Sequence, residues 1–279
     1  MKNAFVIGHP IAHSKSPLVH GHWLQLNKIA GEYKAIDVEP EHLTEFAARL
    51  KNGSHIGGNV TVPHKEAIMP LCNEITETAK NIGAVNTLWM QDGRLCGDNT
   101  DKYGFLANLD QQLSAWDEKN DTAIVLGAGG AARAILVGLI ERGYQKIYVL
   151  NRTIERAQDL CAELNKAFAI SVLEPNTLNQ FNKLSEQVDL VVNSSAVGMG
   201  GSKFEDLSLR NLPKSAVVTD IVYTPLETPL LADARDCGLR TIDGVGMLLH
   251  QAVPGFERWF GVRPTVTKEL RQILLEASK

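Results

Sequence analysis

Residues 125–132 read Val-Leu-Gly-Ala-Gly-Gly-Ala-Ala, and this stretch decides the fold that the sequence predicts. It ends an apolar run, Thr122–Leu126, typical of a strand buried on both faces, and it opens an apolar helix, Ala131–Arg142, that Gly143 ends. In the pattern G-x-G-x-x-A, the first glycine makes a tight turn and the second lets a pyrophosphate approach the backbone. The helix N-terminus adds unpaired N–H groups. We therefore predict a dinucleotide site that comprises Gly127, Ala128, Gly129, Gly130 and Ala131.

The chain beyond this motif continues the same alternation of strand and helix. Lys146–Leu150 reads as a strand, Ile154–Asn165 as an amphipathic helix, and Val188–Asn193 and Ala216–Thr219 as further buried strands. This order predicts a Rossmann-like, doubly wound parallel sheet with helices on both faces.

The end of the second strand indicates which dinucleotide binds. NAD enzymes usually carry an acidic residue about 20 residues after the glycine motif, where it holds the ribose 2′-OH. This chain has Asn151-Arg152-Thr153 there, with Arg156 one turn on. Two guanidinium groups suit a 2′-phosphate, so the segment favours NADP. The alternative is that both arginines belong to a solvated helix start.

The first hundred residues also interleave strands and helices. Ala4–Ile7 and Tyr33–Val38 read as strands, Pro17–Asn27 as a helix that Ser16 caps, and Gln91-Asp92-Gly93 as a hairpin turn. The tail, Gly246–Ser278, reads as mostly helical, with breaks at Pro254-Gly255 and Pro264. We predict an α/β protein with a substrate domain (1–104 plus 246–279), an NADP-binding domain (105–245) and a cleft between them.

Short polar side chains gather at the predicted strand ends of the first region. Alternation along one strand places Asn59 and Thr61 on the same face, and Lys65 follows that strand. Asn86 and Asp101 follow at other strand ends. Such a set suits a small ligand rich in hydroxyl groups. The alternatives are a surface ion pair for Lys65 and Asp101 and, for Ser14 and Ser16, simple helix capping.

Five motifs in sequence order resemble the shikimate dehydrogenase family. They are Asn59–Lys65 (N-V-T-V-P-H-K), Asn99–Asp101 (N-T-D), Gly127–Ala132, Asn151–Thr153 (N-R-T) and Asp243–Gln251 (D-G-V-G-M-L-L-H-Q). The resemblance runs from Ile7 to beyond Trp259. It implies reversible reduction of 3-dehydroshikimate to shikimate by NADPH, with Lys65 and Asp101 as the catalytic pair.

The resemblance also implies roles for other side chains. Ser14 and Ser16 would bind the substrate carboxylate, with Tyr223 of the segment D-I-V-Y-T-P nearby. Ring hydroxyls would meet Thr61, Asn86 and Gln251, with Asn59 in the same wall. Gly246 would lie near the nicotinamide, with Met247 beside it. The chain departs from the family pattern at Lys102, at Gly21 and at Asn193-Ser194-Ser195.

Composition narrows the classes of protein that remain. A net charge of −4 gives no basic face for nucleic acid. The four cysteines are scattered and the histidines show no H-E-x-x-H spacing, so we expect no metal. The sequence offers no signal peptide or membrane span, which predicts a cytoplasmic protein and leaves a monomer and a homodimer open. A quinate dehydrogenase of the same superfamily and a non-catalytic NADP-binding regulator are the alternative functions.

Overall fold

The computed structural model describes residues 2–53 and 55–277. The chain divides into two compact units, Met1–Gly104 with Leu249–Lys279, and Phe105–Leu248. The second boundary, after Leu248, lies inside one helix, Val245–His250. Strands and helices are numbered below along the chain.

The first unit contains a six-stranded mixed sheet. Its strands are β1 (Lys2–Gly8), β2 (Gly31–Asp37), β3 (Gly57–Val60), β4 (Glu74–Ile75), β5 (Thr87–Gln91) and β6 (Arg94–Asp98), in the order β2-β1-β3-β5-β6-β4. Strand β1 pairs in parallel with β2 and β3, whereas β5 runs antiparallel to β3 and β6. The predicted hairpin is confirmed: Asp92 and Gly93 turn between β5 and β6 with positive φ angles of 50° and 74°.

Helices of the first unit include α1 (Ser16–Leu26), α2 (Leu43–Leu50) and α3 (Glu77–Ile82). Helix α4 (Asp101–Gln112) begins in this unit, and the tail adds α10 (Ala252–Phe260) and α11 (Lys268–Glu276). Apolar side chains of β1, β3, β5 and α2 form one core, which includes Phe5, Ile7, Val60 and Leu88.

Two predictions about helix ends in this unit are wrong. Ser16 does not cap α1 but is its first residue, and its backbone N–H donates to the Ser14 hydroxyl at 3.3 Å. Pro254-Gly255 does not break the tail helix, since both residues lie inside α10. Pro254 is in the first turn, where a helix has unpaired N–H groups in any case, so the missing proline N–H costs nothing.

His20 of α1 is buried at the centre of an aromatic cluster. Its ring stacks on Tyr33 with centroids 4.0 Å apart, and Trp23, Phe256 and Trp259 complete the surroundings. Burial lowers the pKa of His20 to about 3, so the ring is neutral at physiological pH. The cluster joins α1 and α10 to strand β2.

The second unit contains a six-stranded, fully parallel sheet. Its strands are β7 (Thr122–Leu126), β8 (Lys146–Asn151), β9 (Leu173–Thr177), β10 (Leu190–Asn193), β11 (Val217–Asp220) and β12 (Arg240–Ile242), in the order β12-β11-β10-β7-β8-β9. This is the doubly wound order, whose switch point lies between β7 and β10. Its helices are α5 (Gly130–Glu141), α6 (Ile154–Phe168), α7 (Phe181–Leu184), α8 (Pro229–Asp236) and α9 (Val245–His250).

The outer strands β9 and β12 carry no clear sequence signal. β9 contains Pro175, which an edge strand tolerates because one side of its backbone needs no partner. β12 is three residues long, with two of them exposed. Among residues 2–53 and 55–277, we find no helix long and apolar enough to cross a membrane.

Candidate active site

Lys65 and Asp101 form a close ion pair in the first unit. Lys65 lies in the loop after β3, and Asp101 is the first residue of α4. The lysine Nζ is 2.6 Å from Asp101 Oδ2, with the two side chains 28 % and 15 % exposed. The partial positive charge at the start of a helix favours a carboxylate there. This burial distinguishes the pair from a solvated surface ion pair such as Lys80–Glu77, where both side chains are mostly exposed.

Asn86, just before β5, fixes the other oxygen of the carboxylate. Its Nδ2 donates to Asp101 Oδ1 at 2.8 Å. Its own Oδ1 accepts hydrogen bonds from the Thr87 hydroxyl at 2.8 Å and from the Thr100 backbone N–H at 2.9 Å. Asn86 is only 2 % exposed. The Asp101 carboxylate is therefore bound by a buried side chain that its own hydrogen bonds to Thr87 and Thr100 keep in place.

The N-T-D motif turns the chain from β6 into α4. Asn99 Oδ1 accepts the Asp101 backbone N–H at 2.9 Å, and Asn99 Nδ2 donates to the Ala84 carbonyl oxygen at 3.0 Å. The Thr100 hydroxyl donates to the Gln251 carbonyl oxygen at 2.7 Å. Through Thr100, the segment between α9 and α10 that carries Gln251 is attached to the start of α4.

Three further predicted substrate residues lie near strand ends of the first unit. Ser14 precedes α1 and Ser16 begins it, and both are half-buried. Thr61 directly follows β3, and its backbone N–H donates to the Ile7 carbonyl oxygen at 2.8 Å. The Thr61 methyl group packs so close to Gly8 that a Cβ at residue 8 would come within 2.6 Å of it. Gly8 therefore allows the close approach of these two segments.

The glycine motif of the second unit has the geometry of a phosphate cradle. Gly127 follows β7 with φ of +108°, and a Cβ there would come within 3.0 Å of Ser194 Oγ. Helix α5 begins immediately after, and its N-terminus has no side-chain cap. A Cβ at Gly129 or Gly130 would meet nothing within 4 Å, so their backbone faces open space. Uncapped N–H groups beside open space fit a dinucleotide pyrophosphate.

The N-R-T segment lies at the end of β8, next to this cradle. Strands β7 and β8 are neighbours, so their carboxyl ends share one edge of the sheet. Arg152, Thr153 and Arg156 are exposed there, and Asn151 Nδ2 donates to the Thr153 carbonyl oxygen at 2.8 Å. The arrangement leaves two guanidinium groups accessible where a ribose phosphate would lie.

Loops after β10 and β11 complete that edge of the second unit. Buried Asp220 ties them together, since it accepts hydrogen bonds from Asn193 Nδ2 at 2.9 Å and from the Val222 backbone N–H at 2.9 Å. Burial raises the pKa of Asp220 and also that of half-buried Tyr223 in the following loop. The serines that depart from the family pattern have partners: Ser194 Oγ donates to the Leu126 carbonyl oxygen at 2.8 Å, and Ser195 Oγ donates to Asn193 Oδ1 at 2.8 Å.

Gly246 of α9 is held against α4. A Cβ at this position would lie 1.7 Å from Asn108 Oδ1, so a larger residue would have to displace the Asn108 side chain. Asn108 is itself fixed by its Nδ2 hydrogen bond to the Asp243 carbonyl oxygen at 2.8 Å. Met247, the next residue, is half-buried. Close packing against Asn108 within the second unit therefore accounts for the second glycine of the D-G-V-G motif.

The partner that sequence reasoning missed is Tyr33. A tyrosine in an apolar strand reads as an ordinary packing residue, so no local signal marks it. Within residues 2–53 and 55–277, no group of three or more His, Cys, Asp or Glu side chains could hold a metal ion.

Comparison with known families covers most of the chain. Three family models match: the shikimate dehydrogenase substrate binding domain at residues 6–88, shikimate / quinate 5-dehydrogenase at residues 109–222, and the shikimate 5′-dehydrogenase C-terminal domain at residues 244–272.

Individual relatives align over nearly the full length. A shikimate dehydrogenase (NADP⁺) of Mesorhizobium japonicum is 51 % identical over 274 residues, which are 98 % of this chain and 96 % of the relative. The Thermus thermophilus shikimate 5-dehydrogenase, solved in complex with NADP(H) and shikimate, is 34 % identical with a TM-score of 0.84 over 100 % of this chain and 98 % of that one. The quinate dehydrogenase of Corynebacterium glutamicum, solved with NAD, is 31 % identical with a TM-score of 0.90 over 99 % of both chains.

We expect Arg152→Ala to weaken binding of NADPH but not of NADH. Loss of a charge-assisted hydrogen bond to the 2′-phosphate should raise the Kd for NADPH by roughly 10- to 100-fold, while the Kd for NADH changes by less than about threefold. Nicotinamide fluorescence on titration measures both constants. Arg210→Ala removes an exposed arginine elsewhere in the second unit and serves as the matched control. Equal losses for both dinucleotides would contradict the assignment of Arg152.

Proposed function

Since the chain belongs to the shikimate dehydrogenase family, we propose that it catalyses the reversible NADP-dependent reduction of 3-dehydroshikimate to shikimate. The observation that carries the proposal is the buried contact of 2.6 Å between Lys65 and Asp101, with Asn86 on the second carboxylate oxygen. We assign substrate binding to the first unit and cofactor binding to the second.

The reaction requires a hydride at the carbonyl carbon and a proton at the carbonyl oxygen. Bound NADPH supplies the hydride. We assign the proton to the Lys65 ammonium group, which polarises the carbonyl before it donates. In the oxidation of shikimate, neutral Lys65 accepts the hydroxyl proton. Each reduction thus consumes one proton, and each oxidation releases one.

Asp101 orients the lysine rather than taking part in hydride transfer. With one oxygen on Lys65 and the other on Asn86, the carboxylate cannot rotate without breaking a hydrogen bond. A fixed donor loses less entropy when the substrate binds, which is how preorganised groups accelerate proton transfer.

The hydroxyl-rich substrate would be held by polar side chains of the loops around this pair. We place its carboxylate at Ser14 and Ser16 and its ring hydroxyls at Thr61, Asn86 and Gln251. The pyrophosphate would lie on Gly127–Ala131 and the 2′-phosphate at Arg152 and Arg156. Gly246 and Met247 would border the nicotinamide.

Quinate dehydrogenase activity is the second candidate, since a quinate dehydrogenase solved with NAD is 31 % identical to this chain. Quinate carries one more hydroxyl group, on the carbon that bears the carboxylate, so it would test the space around Ser14 and Ser16. The greater identity of 51 % to an NADP-dependent shikimate dehydrogenase and the arginines after β8 favour shikimate and NADP.

We also infer a reducing compartment, the cytoplasm, for this enzyme. The cysteines Cys72, Cys96, Cys161 and Cys237 are all free thiols. Proteins that rely on disulfides belong to oxidising compartments, and this fold is held together without them.

The proposed function is tested by the absorbance of NADPH in parallel reactions of the purified protein with shikimate or quinate, and NADP or NAD. We expect rapid NADPH formation with shikimate and NADP. Because oxidation releases a proton, each pH unit upward should shift the equilibrium toward NADPH about tenfold. Turnover of quinate with NAD but not of shikimate would support the second candidate. Tight NADPH binding without any turnover would contradict both and favour a regulator.

Lys65→Met removes the ammonium group and keeps the length of the side chain. We expect kcat to fall by about 10²- to 10⁴-fold, the usual contribution of a general acid–base group. The Kd for shikimate, measured by calorimetry, should change only a few-fold. Lys80→Met, which removes the exposed lysine of the Lys80–Glu77 pair, is the control and should keep wild-type rates. Near-normal turnover by Lys65→Met would overturn the role of Lys65.

A further inference from the structure

A chain of hydrogen bonds runs from Tyr33 to Lys65, and the Tyr33 hydroxyl also interacts with the Ser16 side chain. We propose that Tyr33 is the positioning residue on which this chain depends. Its one buried hydroxyl group would orient both Ser16, which binds the substrate carboxylate, and the Lys65–Asp101 pair. The inference rests on the proposed function, because Ser16 and Lys65 have their roles there.

Tyr33 lies on β2 and is only 6 % exposed. Its hydroxyl donates to Asn59 Oδ1 at 2.6 Å and also interacts with the Ser16 side chain. Burial raises the pKa of Tyr33 well above its usual value, so the hydroxyl keeps its proton and remains a donor. The first connection therefore runs from Ser16 to Asn59 through Tyr33.

Asn59 passes the connection to the next strand. Its Nδ2 donates to the Asn86 carbonyl oxygen at 3.1 Å and to the Thr87 hydroxyl at 3.3 Å. Both amide protons are thus in use, and the residue is 5 % exposed. We therefore assign Asn59 to positioning rather than to direct contact with the substrate, which refines the role that the sequence predicts.

Thr87 and Asn86 complete the chain. The Thr87 hydroxyl donates to Asn86 Oδ1 at 2.8 Å, and Asn86 Nδ2 donates to Asp101 at 2.8 Å. Asp101 then holds Lys65. Because these groups share hydrogen bonds in series, a change at one end alters the geometry at the other.

The Tyr33 hydroxyl gives Asn59 Oδ1 a hydrogen bond of 2.6 Å, and the neighbouring His20 ring also interacts with the Asn59 side chain. The ring stacks on His20, with centroids 4.0 Å apart, and lies 5.9 Å from the Trp259 ring. Without the hydroxyl, Asn59 Oδ1 loses its hydrogen bond of 2.6 Å in a buried site, a cost that reorientation of the amide relieves. Reorientation would turn the amide oxygen toward the Asn86 carbonyl oxygen and thereby displace Asn86.

Tyr33→Phe tests the proposal because it removes one oxygen atom and keeps the ring. We expect the Kd and KM for shikimate to rise about five- to fiftyfold and kcat to fall, while the Kd for NADPH stays within about twofold. A merely structural role would lower the yield of folded enzyme but leave the KM for shikimate unchanged. Tyr103→Phe is the matched control, since the Tyr103 hydroxyl contacts only the exposed guanidinium of Arg263 among the hydrogen bonds described.

Two further variants make the result decisive. Combined with Ser16→Ala, Tyr33→Phe should raise the Kd for shikimate by less than the product of the two single effects, because both act through the same contact. Thr87→Val removes the hydroxyl group that links Asn59 to Asn86 and keeps the volume of the side chain, so it should also raise the KM for shikimate. This variant tests the same chain of hydrogen bonds if Tyr33→Phe fails to fold.

The outcomes separate this proposal from the function on which it rests. Wild-type Kd, KM and kcat in Tyr33→Phe would overturn the role of Tyr33 and leave the function intact. A wild-type enzyme that binds shikimate without turnover would overturn the function, while calorimetry on Tyr33→Phe would still decide the positioning role. A wild-type enzyme that binds no shikimate would overturn both.

Discussion

The fixed orientation of the Asp101 carboxylate is the interaction on which the rest of the site depends. One oxygen binds Lys65 at 2.6 Å and the other accepts from Asn86 at 2.8 Å, while the backbone N–H of Asp101 is held by Asn99. A carboxylate bound on both oxygens at a helix start is rigid, so it keeps an ammonium group in one place. Geometry of this kind can serve proton transfer because little must reorganise when the substrate arrives.

In both units, the proposed site residues lie mainly in loops at the ends of strands that are buried in a sheet. In the second unit, the doubly wound order brings the loop after β7 beside the loops after β8 and β10. In the first unit, β3 and β5 are neighbours, which places Thr61 and Lys65 after one strand and Asn86 before the other. Rigid strands hold the loops, so side chains far apart in the sequence meet within hydrogen-bonding distance.

The sequence predicted the elements whose pattern is regular and missed those whose identity depends on position in the sheet. Thr122–Leu126 has the same bounds in the structure, because a strand covered on both faces is apolar throughout. β9 was missed since its proline is acceptable only at an edge, and the edge is not visible in the sequence. For the site, Lys65, Asp101 and Asn86 were predicted, whereas Tyr33 was not. Its hydroxyl group acts through a long-range contact with Asn59 that no local pattern records.

A double-mutant cycle on Lys65 and Asp101 tests most directly whether the carboxylate works through the lysine. The rates of Lys65→Met, Asp101→Asn and the double variant would be compared with wild type for the oxidation of shikimate. If Asp101 acts by holding Lys65, Asp101→Asn slows the wild-type enzyme strongly but has almost no further effect on Lys65→Met. If the two losses multiply in the double variant, the residues act independently and the account of the site is wrong.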